Sequence, residues 1–329
     1  MKQGKGFLII QPAFIGDVIL ATALVESIAA IAPDEPIDFF LRKGNESLLK
    51  NNPHIHRIFI WDKKNGKYRN LLKNIKAIRQ NRYKAVINIH RFFTSGLVTA
   101  LSRTDIKSGY RQNPLSFLYS YRSDFEMKKG LHETMRNLRL IDFLKAPYRR
   151  PALYPSASDF ESIQPYTTSP YITIAPSSVW YTKQFPPEKW IELIDTTLPE
   201  NYTVYLLGGK GDTELCKQIQ ANCKTSSRVK VLAGKLNFLQ SAALMKNAVM
   251  NYVNDSAPLH ICSAVNAPVK AIFCSTIPDF GFYPLSDHSE IIEVTEKLPC
   301  RPCGIHGKKS CPEGHFQCAY GIDVKRMKI

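Results

Sequence analysis

The chain has 329 residues, 44% of them hydrophobic, which is enough for two domains of ordinary size with buried cores. No run of about 18 uncharged apolar residues occurs, so we expect no membrane-spanning helix. The formal net charge is +16, and residues 1–165 carry 27 Lys and Arg against 14 Asp and Glu. This uneven excess favours an acidic partner, namely nucleic acid, anionic lipid or a phosphorylated glycan, over an ordinary solvated basic face.

The first segment imitates a signal peptide, because Lys2 and Lys5 precede an apolar stretch that reaches Ala23. Asp17 interrupts that stretch, and the helical pattern continues through Glu26 without an obvious cleavage site. We therefore predict that this segment is a first strand and helix, and that the protein is cytoplasmic.

Strands and helices alternate through the first half of the chain. Strands are predicted at 7–10, 37–41, 58–61 and 85–89, with helices at 18–32 and 71–78. This alternation predicts a doubly wound parallel sheet. Asp17 lies at the first junction between strand and helix, where open α/β sheets bind their ligands, although a helix cap also explains an aspartate there.

A stretch rich in Pro, Ser, Tyr and Thr at 147–170 is the best candidate for a linker between domains. Beyond it, strands are predicted at 171–175, 203–207, 248–252 and 269–273. We predict two α/β domains, residues 1–160 and 161–329. The second domain ends in a cysteine-rich segment at about 298–320.

A small turn near the C-terminus opens a predicted helix, and its residues are Asn254-Asp255-Ser256-Ala257-Pro258. Asp255 and Ser256 are good helix N-cap residues, and Pro258 suits a first helical turn. Backbone N–H groups at such a helix start bind phosphate, helped by the helix dipole. Taken alone, the segment predicts only a capped helix after a strand.

Four stretches are informative in combination: Ile15-Gly16-Asp17-Val18, residues 176–190, Gly234-Lys235-Leu236, and Asn254-Asp255-Ser256 with His260. In this order they resemble glycosyltransferase family 9, the bacterial ADP-heptose:lipopolysaccharide heptosyltransferases. The resemblance extends from Gly6 to about Ile322. It implies the GT-B fold, in which two Rossmann-like domains face a cleft, the first binding the acceptor and the second the nucleotide sugar.

The resemblance also implies a reaction, the inverting transfer of heptose from ADP-heptose to a lipopolysaccharide inner-core acceptor. The family places its catalytic aspartate at the matching junction, so Asp17 is expected to be the general base. It uses the matching lysine on the donor phosphates, so Lys183 is expected to stabilise the departing diphosphate, with an ordinary surface lysine as the alternative. No metal is needed if such groups neutralise the charge, and the chain has no Asp-x-Asp motif.

Further residues are expected at the donor site. Ser177, Ser178 and the backbone from Asp255 to Ala257, with Ser256 between them, complete the expected phosphate cradle. Ala257 replaces the glycine that the family usually has, and because alanine resists positive φ we expect a slightly altered turn. His260, one helical turn after Ser256, either contacts the donor or packs. Two weaker groups of candidates follow. Gly208, Gly209 and Asp212 could approach the nucleotide, but a simple turn explains them as well. Gly234 and Lys235 are suggested by the resemblance alone.

The basic first half suits the acceptor that the resemblance implies, the anionic inner core of lipopolysaccharide at the cytoplasmic face of the inner membrane. His90 and Arg91 end a predicted strand, and Arg111 follows, so all three are candidate acceptor contacts. Arginine suits bidentate recognition of phosphate or carboxylate. The expected partners are therefore the nucleotide sugar, this acceptor and the membrane surface, with peripheral attachment and no nucleic acid.

Four of the eight cysteines fall within 19 residues, namely Cys300, Cys303, Cys311 and Cys318. Disulfides are disfavoured in a cytoplasmic protein, so the leading interpretation is a structural zinc site, with reduced thiols in a compact loop as the alternative. The other four cysteines lie within helix or strand patterns and are expected to pack in the core.

Three other functions stay open. A related GT-B enzyme with another nucleotide sugar and another surface glycan fits the same residues. A basic nucleic-acid-binding protein with a zinc module fits the charge, but neither aromatic stacking platforms nor a reading helix is recognisable. An inactive relative that only binds glycan is disfavoured because Asp17 and Lys183 are both present.

Overall fold

The computed structural model describes residues 4–127 and 130–329, which form two compact α/β units. The first unit comprises residues 4–127 and 131–154, and the second comprises Gly130 and residues 155–329. The boundary therefore follows Tyr154, whereas the sequence pattern placed it after residue 160. None of the helices in the described parts of the chain is long and apolar enough to cross a membrane.

The first unit is built on six parallel strands, whose side chains are mostly buried in the central members. They are β1 (Phe7–Ile10), β2 (Ile37–Arg42), β3 (Ile55–Trp61), β4 (Tyr83–Asn88), β5 (Thr104–Tyr110) and β6 (Tyr121–Ser123). Their spatial order is β3-β2-β1-β4-β5-β6. This is the Rossmann order, in which the chain reverses direction across the sheet between the first and fourth strands.

Four helices accompany this sheet: α1 (Ile15–Ala29), α2 (Lys67–Ile78), α3 (Phe93–Leu101) and α4 (Glu133–Leu138). Helix α1 begins three residues before the predicted start, so Asp17 lies in its first turn. Most of its residues from 18 to 29 are buried, and both α4 and residues 149–154 contact it. The Ala152 N–H donates to Thr22 Oγ1 over 2.9 Å, and the Tyr154 hydroxyl donates to Glu26 over 2.8 Å.

The second unit repeats the same topology. Its strands are β7 (Tyr171–Ala175), β8 (Thr203–Leu206), β9 (Val229–Val231), β10 (Met250–Asn254), β11 (Val269–Ile272) and β12 (Ser289–Ile292), in the order β12-β11-β10-β7-β8-β9. Its helices are α5 (Ala157–Ile163), α6 (Pro187–Thr196), α7 (Thr213–Asn222), α8 (Phe238–Asn247), α9 (Ala257–Val265) and α10 (Gln317–Tyr320). The fold class predicted from the sequence, two doubly wound parallel sheets, is confirmed.

The stretch expected to be a linker contains a short helix instead. Helix α5 packs on α8 and so belongs to the second unit. Its start is a capping box, in which the Asp159 carboxylate accepts the Ser156 N–H over 2.8 Å while Ser156 Oγ accepts the Asp159 N–H over 3.3 Å. The Ser-x-x-Asp spacing was the missed signal, because proline and serine content alone favoured a loop.

Four strands were missed by the sequence pattern: β5, β6, β9 and β12. Three are short and lie at sheet edges, and β5 reads Thr-Asp-Ile-Lys-Ser-Gly-Tyr without an apolar run. Such strands pair through backbone hydrogen bonds that make little demand on side chains. The omission did not affect the prediction of fold class, because the central strands carry the apolar pattern.

Candidate active site

In the first unit, Asp17 lies beside the crevice where the chain reverses direction across the sheet. It is in the first turn of α1, directly after β1, and the neighbouring strand β4 ends at Asn88, just before His90. Asp17 Oδ2 accepts the N–H of Phe14 over 3.1 Å, so the carboxylate also caps the helix. Asp17 is therefore a helix cap and also lies where α/β sheets bind their ligands, so the two predictions for this residue are compatible. Its side chain is partly accessible.

The surroundings of Asp17 make it an unusually basic carboxylate. Burial raises its pKa from 3.8 to about 6, and the nearby Glu133 carboxylate adds to the increase. The Phe14 N–H, Arg42 and Arg91 act in the opposite direction and favour the ionised form. With a pKa of about 6 the group is ionised at neutral pH, and it accepts a proton more readily than an ordinary aspartate.

This pKa has a consequence for stability, which we expect Asp17→Asn to reveal. A carboxyl whose pKa is raised by folding destabilises the folded state as pH increases between about 3.8 and about 6. At pH values above that range, the difference between the two pKa values lowers the free energy of unfolding by at most about 3 kcal/mol. We expect the variant to unfold at higher urea concentration than the wild type at pH 8, with a free-energy gain of about 1–2 kcal/mol.

At pH 3.5 the same comparison should show little gain, since Asp17 is mostly protonated in both the folded and the unfolded protein. Urea unfolding curves at the two pH values measure the difference. A gain of equal size at both values would show that the charge on Asp17 is not its cause.

Basic side chains gather at the ends of the strands next to Asp17. Arg42 ends β2, Lys63 follows β3, and His90 and Arg91 follow β4. Burial lowers the pKa of Lys63, and so does the charge of Arg42. In the described parts of the chain Arg42, Lys63 and Arg91 form no ion pair with a carboxylate, so together they form a positive site suited to an anion.

His90 is neutral at physiological pH in this setting. Burial lowers its pKa to about 4, and the charges of Lys63 and Arg91 contribute. Its Nδ1 lies 3.2 Å from Ser95 Oγ, and its ring packs at an angle on Phe92. The imidazole can therefore exchange a hydrogen bond with a ligand but adds no charge to the site.

Arg111 is placed differently from the other two candidate acceptor residues. It lies after β5, and its Nε is 3.4 Å from Asp124 Oδ1, with both side chains about half exposed. The cations that influence Asp17 are Arg42 and Arg91. The structure therefore associates Arg91 with the aspartate and gives Arg111 another carboxylate partner.

Glu133 is a buried carboxylate at the start of α4, which packs on α1. The Arg136 guanidinium binds it with two nitrogens, Nε at 2.8 Å and Nη2 at 2.7 Å from Oε2. Arg136 also donates to the Leu131 carbonyl over 2.6 Å. This paired carboxylate is the fixed negative charge that raises the pKa of Asp17 further.

In the second unit, an ion pair spans the crevice between β7 and β10. Lys183 Nζ lies 2.6 Å from Asp255 Oδ2, and both side chains are largely buried. Lys183 comes from the loop after β7, and Asp255 directly follows β10. Thr276, after β11, donates its hydroxyl to the same carboxylate oxygen over 2.7 Å. The lysine is thus a fixed cation at the ligand-binding edge, and the interpretation as an ordinary surface lysine is wrong.

Asn254, fully buried at the end of β10, holds the loop that carries the lysine. Its Nδ2 donates to the Pro176 carbonyl over 2.8 Å, and its Oδ1 accepts the Phe185 N–H over 3.0 Å. The amide therefore fixes both ends of the loop between β7 and α6. This loop includes Ser177 and Ser178, whose side chains are partly accessible.

Helix α9 begins as the sequence predicts, with Ser256 as its N-cap and Pro258 in its first turn. The first N–H groups of a helix have no acceptor within it, so those near Ala257 are oriented for an anion. Ala257 is an ordinary first helical residue and is absent from the positive-φ positions of the described chain. This backbone conformation accommodates a Cβ atom, so Ala257 is unstrained, and a difference from the turn of the glycine-containing relatives stays a prediction.

His260 lies buried next to the ion pair. Burial lowers its pKa to about 4, the Asp255 charge opposes this, and the Lys183 charge adds to it. Its ring centroid is 6.3 Å from that of Phe282, and its Nδ1 has no hydrogen-bond partner in the described chain. The side chain therefore packs in the second unit beside the ion pair, and a contact between its ring and the donor stays a prediction.

The glycine-rich turn after β8 meets the turn after β9. The Gly234 N–H donates to the Gly208 carbonyl over 2.9 Å, and Gly234 has φ +75°, where an added Cβ atom would lie 3.0 Å from the Cα of Lys210. The Asp212 carboxylate accepts the Gly209 N–H over 2.7 Å, so it closes the turn. These residues, with Lys235 adjacent, lie at the same sheet edge as Lys183, and their contact with a nucleotide stays a prediction.

The clustered cysteines lie close to one another in the second unit. Burial raises the pKa of the Cys303 thiol, and the Cys300 and Cys311 thiols add to the increase. Burial also raises the pKa of Cys318 to about 12, with contributions from the other three. Among the described residues, however, no group of three or more His, Cys, Asp or Glu side chains is arranged so that it could hold a metal ion. The zinc site therefore stays a prediction.

Several site residues were given no role from the sequence, namely Arg42, Lys63, Glu133 and Thr276, together with Asn254, which was recognised only as part of a motif. A usable signal existed for four of them, because Arg42, Lys63, Asn254 and Thr276 end or closely follow predicted parallel strands, where ligands bind. Glu133 gave no such signal, since its role depends on the packing of α4 against α1.

The chain is similar to known glycosyltransferases over most of its length. The model of glycosyltransferase family 9 (heptosyltransferase) matches residues 71–314. Lipopolysaccharide heptosyltransferase 3 of Escherichia coli is 28% identical over 278 residues, which cover 80% of this chain and 82% of that protein.

Two solved structures share the fold. The E. coli ADP-heptose LPS heptosyltransferase II has a TM-score of 0.76 and 22% identity, covering 91% of this chain and 95% of that one. The E. coli heptosyltransferase WaaC with ADP-2-deoxy-2-fluoro heptose has a TM-score of 0.73 and 18% identity, covering 98% of both. This likeness shows that the chain has the GT-B fold.

Proposed function

The chain belongs to glycosyltransferase family 9, and we propose that it transfers heptose from ADP-heptose to a lipopolysaccharide inner-core acceptor with inversion at the anomeric carbon. The observation that carries the proposal is Asp17, a carboxylate of raised pKa at the ligand-binding edge of the first sheet. The donor and acceptor classes are supported by the relatives described above.

The first step concerns the acceptor. Its hydroxyl gives its proton to the Asp17 carboxylate while the oxygen attacks the anomeric carbon of the donor. A carboxylate with a pKa of about 6 is ionised at pH 7.5 and is still a better base than an ordinary aspartate. Arg42 and Arg91 favour the ionised form, and their charge suits an acceptor that carries phosphate or carboxylate groups.

The second requirement is the leaving group. As the new bond forms, the bond from the anomeric carbon to the β-phosphate oxygen breaks and ADP leaves with the electron pair. Lys183 and the N–H groups at the start of α9 are placed to neutralise the developing charge on the diphosphate. Since these groups supply fixed positive charge, we propose that the transfer requires no metal ion.

The test is transfer from ADP-heptose to lipopolysaccharide extracted from a strain that lacks the inner-core heptoses. Mass spectrometry of the product should show one added heptose, and an NMR coupling constant should show inverted configuration. Parallel reactions with UDP-glucose and ADP-glucose address the second candidate, a related enzyme with another donor. Product from one of those donors alone would reject heptose transfer and leave the family assignment intact.

The positive site beside Asp17 provides a prediction about the acceptor. We expect Lys63→Gln and Arg42→Gln each to raise KM for the acceptor about 10-fold, because each removes one charge that faces an anionic group. The KM for ADP-heptose should change less than twofold. Arg103→Gln, an exposed arginine on the same unit, is the matched control. Equal effects on donor and acceptor KM would place these residues elsewhere in the reaction.

A further inference from the structure

A group of exposed apolar side chains lies in one segment of the first unit, residues 92–118. All four exposed phenylalanines of the described chain belong to this unit, and three of them, Phe92, Phe93 and Phe117, fall within residues 92–118. Leu118 and Leu101 in the same segment are also exposed. Large apolar side chains gathered in one exposed segment mark a contact surface more often than an accident of composition.

Two local structures hold these side chains in place. The buried Asn113 side chain donates to the carbonyls of His90 and Phe92 over 3.1 and 3.0 Å, and its Oδ1 accepts the Leu115 N–H. It therefore joins the start of α3 to the loop that contains Phe117. A Cβ atom at Gly96 would lie 2.2 Å from Asn113 Oδ1, so only glycine permits this close approach.

The turn that contains Phe117 is fixed to the core of the first unit by the residue that follows it. Residues Ser116–Leu118 form one 3₁₀ turn, and Tyr119 directly after it is buried. The Tyr119 hydroxyl accepts a hydrogen bond from Asn88 Nδ2 over 2.9 Å, and its ring packs on Gly109. Anchoring Tyr119 in the core leaves Phe117 and Leu118 on the outer side of the turn.

Helix α3 adds an apolar stripe with cations at both ends. Phe93 and Leu101 are exposed, and Leu97, four residues from each on the same side of the helix, is half-buried against the core between them. Arg91 precedes the helix, while Arg79 and Lys107 donate to the carbonyls of Leu101 and Ala100 at its end. None of these three cations forms an ion pair in the described residues. Aromatic side chains flanked by cations are typical of surfaces that meet anionic lipid.

From this arrangement we propose that α3 and the turn Ser116–Leu118 dock on the surface of an anionic lipid bilayer. Phe92, Phe93, Phe117 and Leu118 enter the interfacial layer, and Arg79 and Lys107 lie against lipid phosphates, while Arg91 stays with the acceptor site beside Asp17. The choice of a bilayer rests on the proposed function, because a lipopolysaccharide acceptor is itself anchored in lipid. The surface begins at Arg91, which acts on Asp17, so docking brings the acceptor side of the catalytic aspartate to the membrane.

The experiment is sedimentation with vesicles, without donor or acceptor, so that its result is independent of the transfer reaction. Vesicles contain 30% phosphatidylglycerol in phosphatidylcholine, with pure phosphatidylcholine in parallel. We expect the wild type to bind the anionic vesicles and Phe93→Ser/Phe117→Ser/Leu118→Ser to bind them at least 10-fold more weakly. The matched control is Tyr68→Ser/Leu72→Ser, which removes two exposed apolar side chains from basic helix α2.

Folding is checked by circular dichroism and by transfer to a water-soluble, delipidated core oligosaccharide, which the triple variant should support at the wild-type rate. Failure of the wild type to bind anionic vesicles overturns the proposal, as does a triple variant that binds like the wild type. Binding lost only in the α2 control assigns the membrane contact to α2 and overturns it too. A concentration-dependent dimer that the triple variant abolishes would identify a second copy as the partner instead.

Discussion

The variant Asp17→Asn should lose transfer activity by about 10³-fold in kcat/KM, the range expected when a general base is removed. Asparagine has nearly the same shape and can still accept the Phe14 N–H, so the helix start should be preserved. Only the ability to take the acceptor proton disappears. Initial rates of ADP release with a heptose-deficient lipopolysaccharide acceptor measure the effect.

The pH profile identifies the residue as the base. For the wild type, log kcat/KM should rise with slope one up to an apparent pKa near 6 and then level off, because only the ionised carboxylate accepts a proton. The residual activity of Asp17→Asn should lack this rise. The matched control is Asp34→Asn, an exposed aspartate of the same unit, which should keep both the rate and the profile.

Loss of fold cannot explain such a result, because the variant is expected to be more stable than the wild type at pH 8. Activity within 10-fold of the wild type would remove Asp17 as the base and leave the enzyme class unchanged. A wild-type profile with its midpoint near pH 4 would contradict the influence of burial and Glu133 on this carboxyl.

The second large effect is expected from Lys183→Ala, which should lower kcat by about 10²- to 10³-fold. The lysine supplies the fixed positive charge next to the start of α9, where the departing diphosphate is proposed to bind. The loss should appear mainly in kcat, since charge on the leaving group develops during the reaction. Lys189→Ala is the control and should change kcat less than twofold, because it breaks only the pair with the half-exposed Glu192 carboxylate on α6.

Stability and catalysis can be separated at this position. Removing Lys183 leaves the buried Asp255 carboxylate without its cation, which should lower the free energy of unfolding by about 3 kcal/mol. In Lys183→Ala/Asp255→Asn the buried charge is gone, and the amide oxygen that replaces the carboxylate can still accept the Thr276 hydroxyl. We expect the double variant to regain most of the stability but none of the activity.

Urea unfolding and single-turnover rates for the single and double variants give both quantities. If activity returns together with stability in the double variant, Lys183 is a structural partner of Asp255 and plays no part in phosphate stabilisation. If Lys183→Ala is as stable as the wild type, the ion pair contributes less than its burial implies.

Which elements were predictable depended on how strongly each one buries its side chains. Strand β1 and strand β7 were placed to the residue, because each is fully buried in the middle of its sheet and β7 has Thr173 as its one polar interior residue. Strand β10 was predicted two residues early, since its last residue is the buried polar Asn254. Helix α5 lies in the segment predicted to be a linker, because its proline and serine content favours a loop while its capping box favours a helix.

The site followed the same division. Asp17, Lys183 and the turn at Asp255 came from motifs, and the structure places the last two in contact. Glu133 and the pKa of Asp17 could not be obtained this way, because the two carboxylates are 116 positions apart in the sequence. Glu133 comes near Asp17 only because α4 packs on α1, and a local sequence pattern cannot predict that contact.

Apolar periodicity and short motifs were enough to specify the two doubly wound sheets, the family and the chemical types of the principal site residues. Both kinds of signal are local in the chain, so they can be recognised before any packing is known. The charge environment of Asp17, the partner of Lys183, and the joining of α3 to the turn at Phe117 became known from the folded structure alone. Each depends on burial and on contacts between distant segments, and burial is what turns an ordinary aspartate into a base with a pKa of about 6.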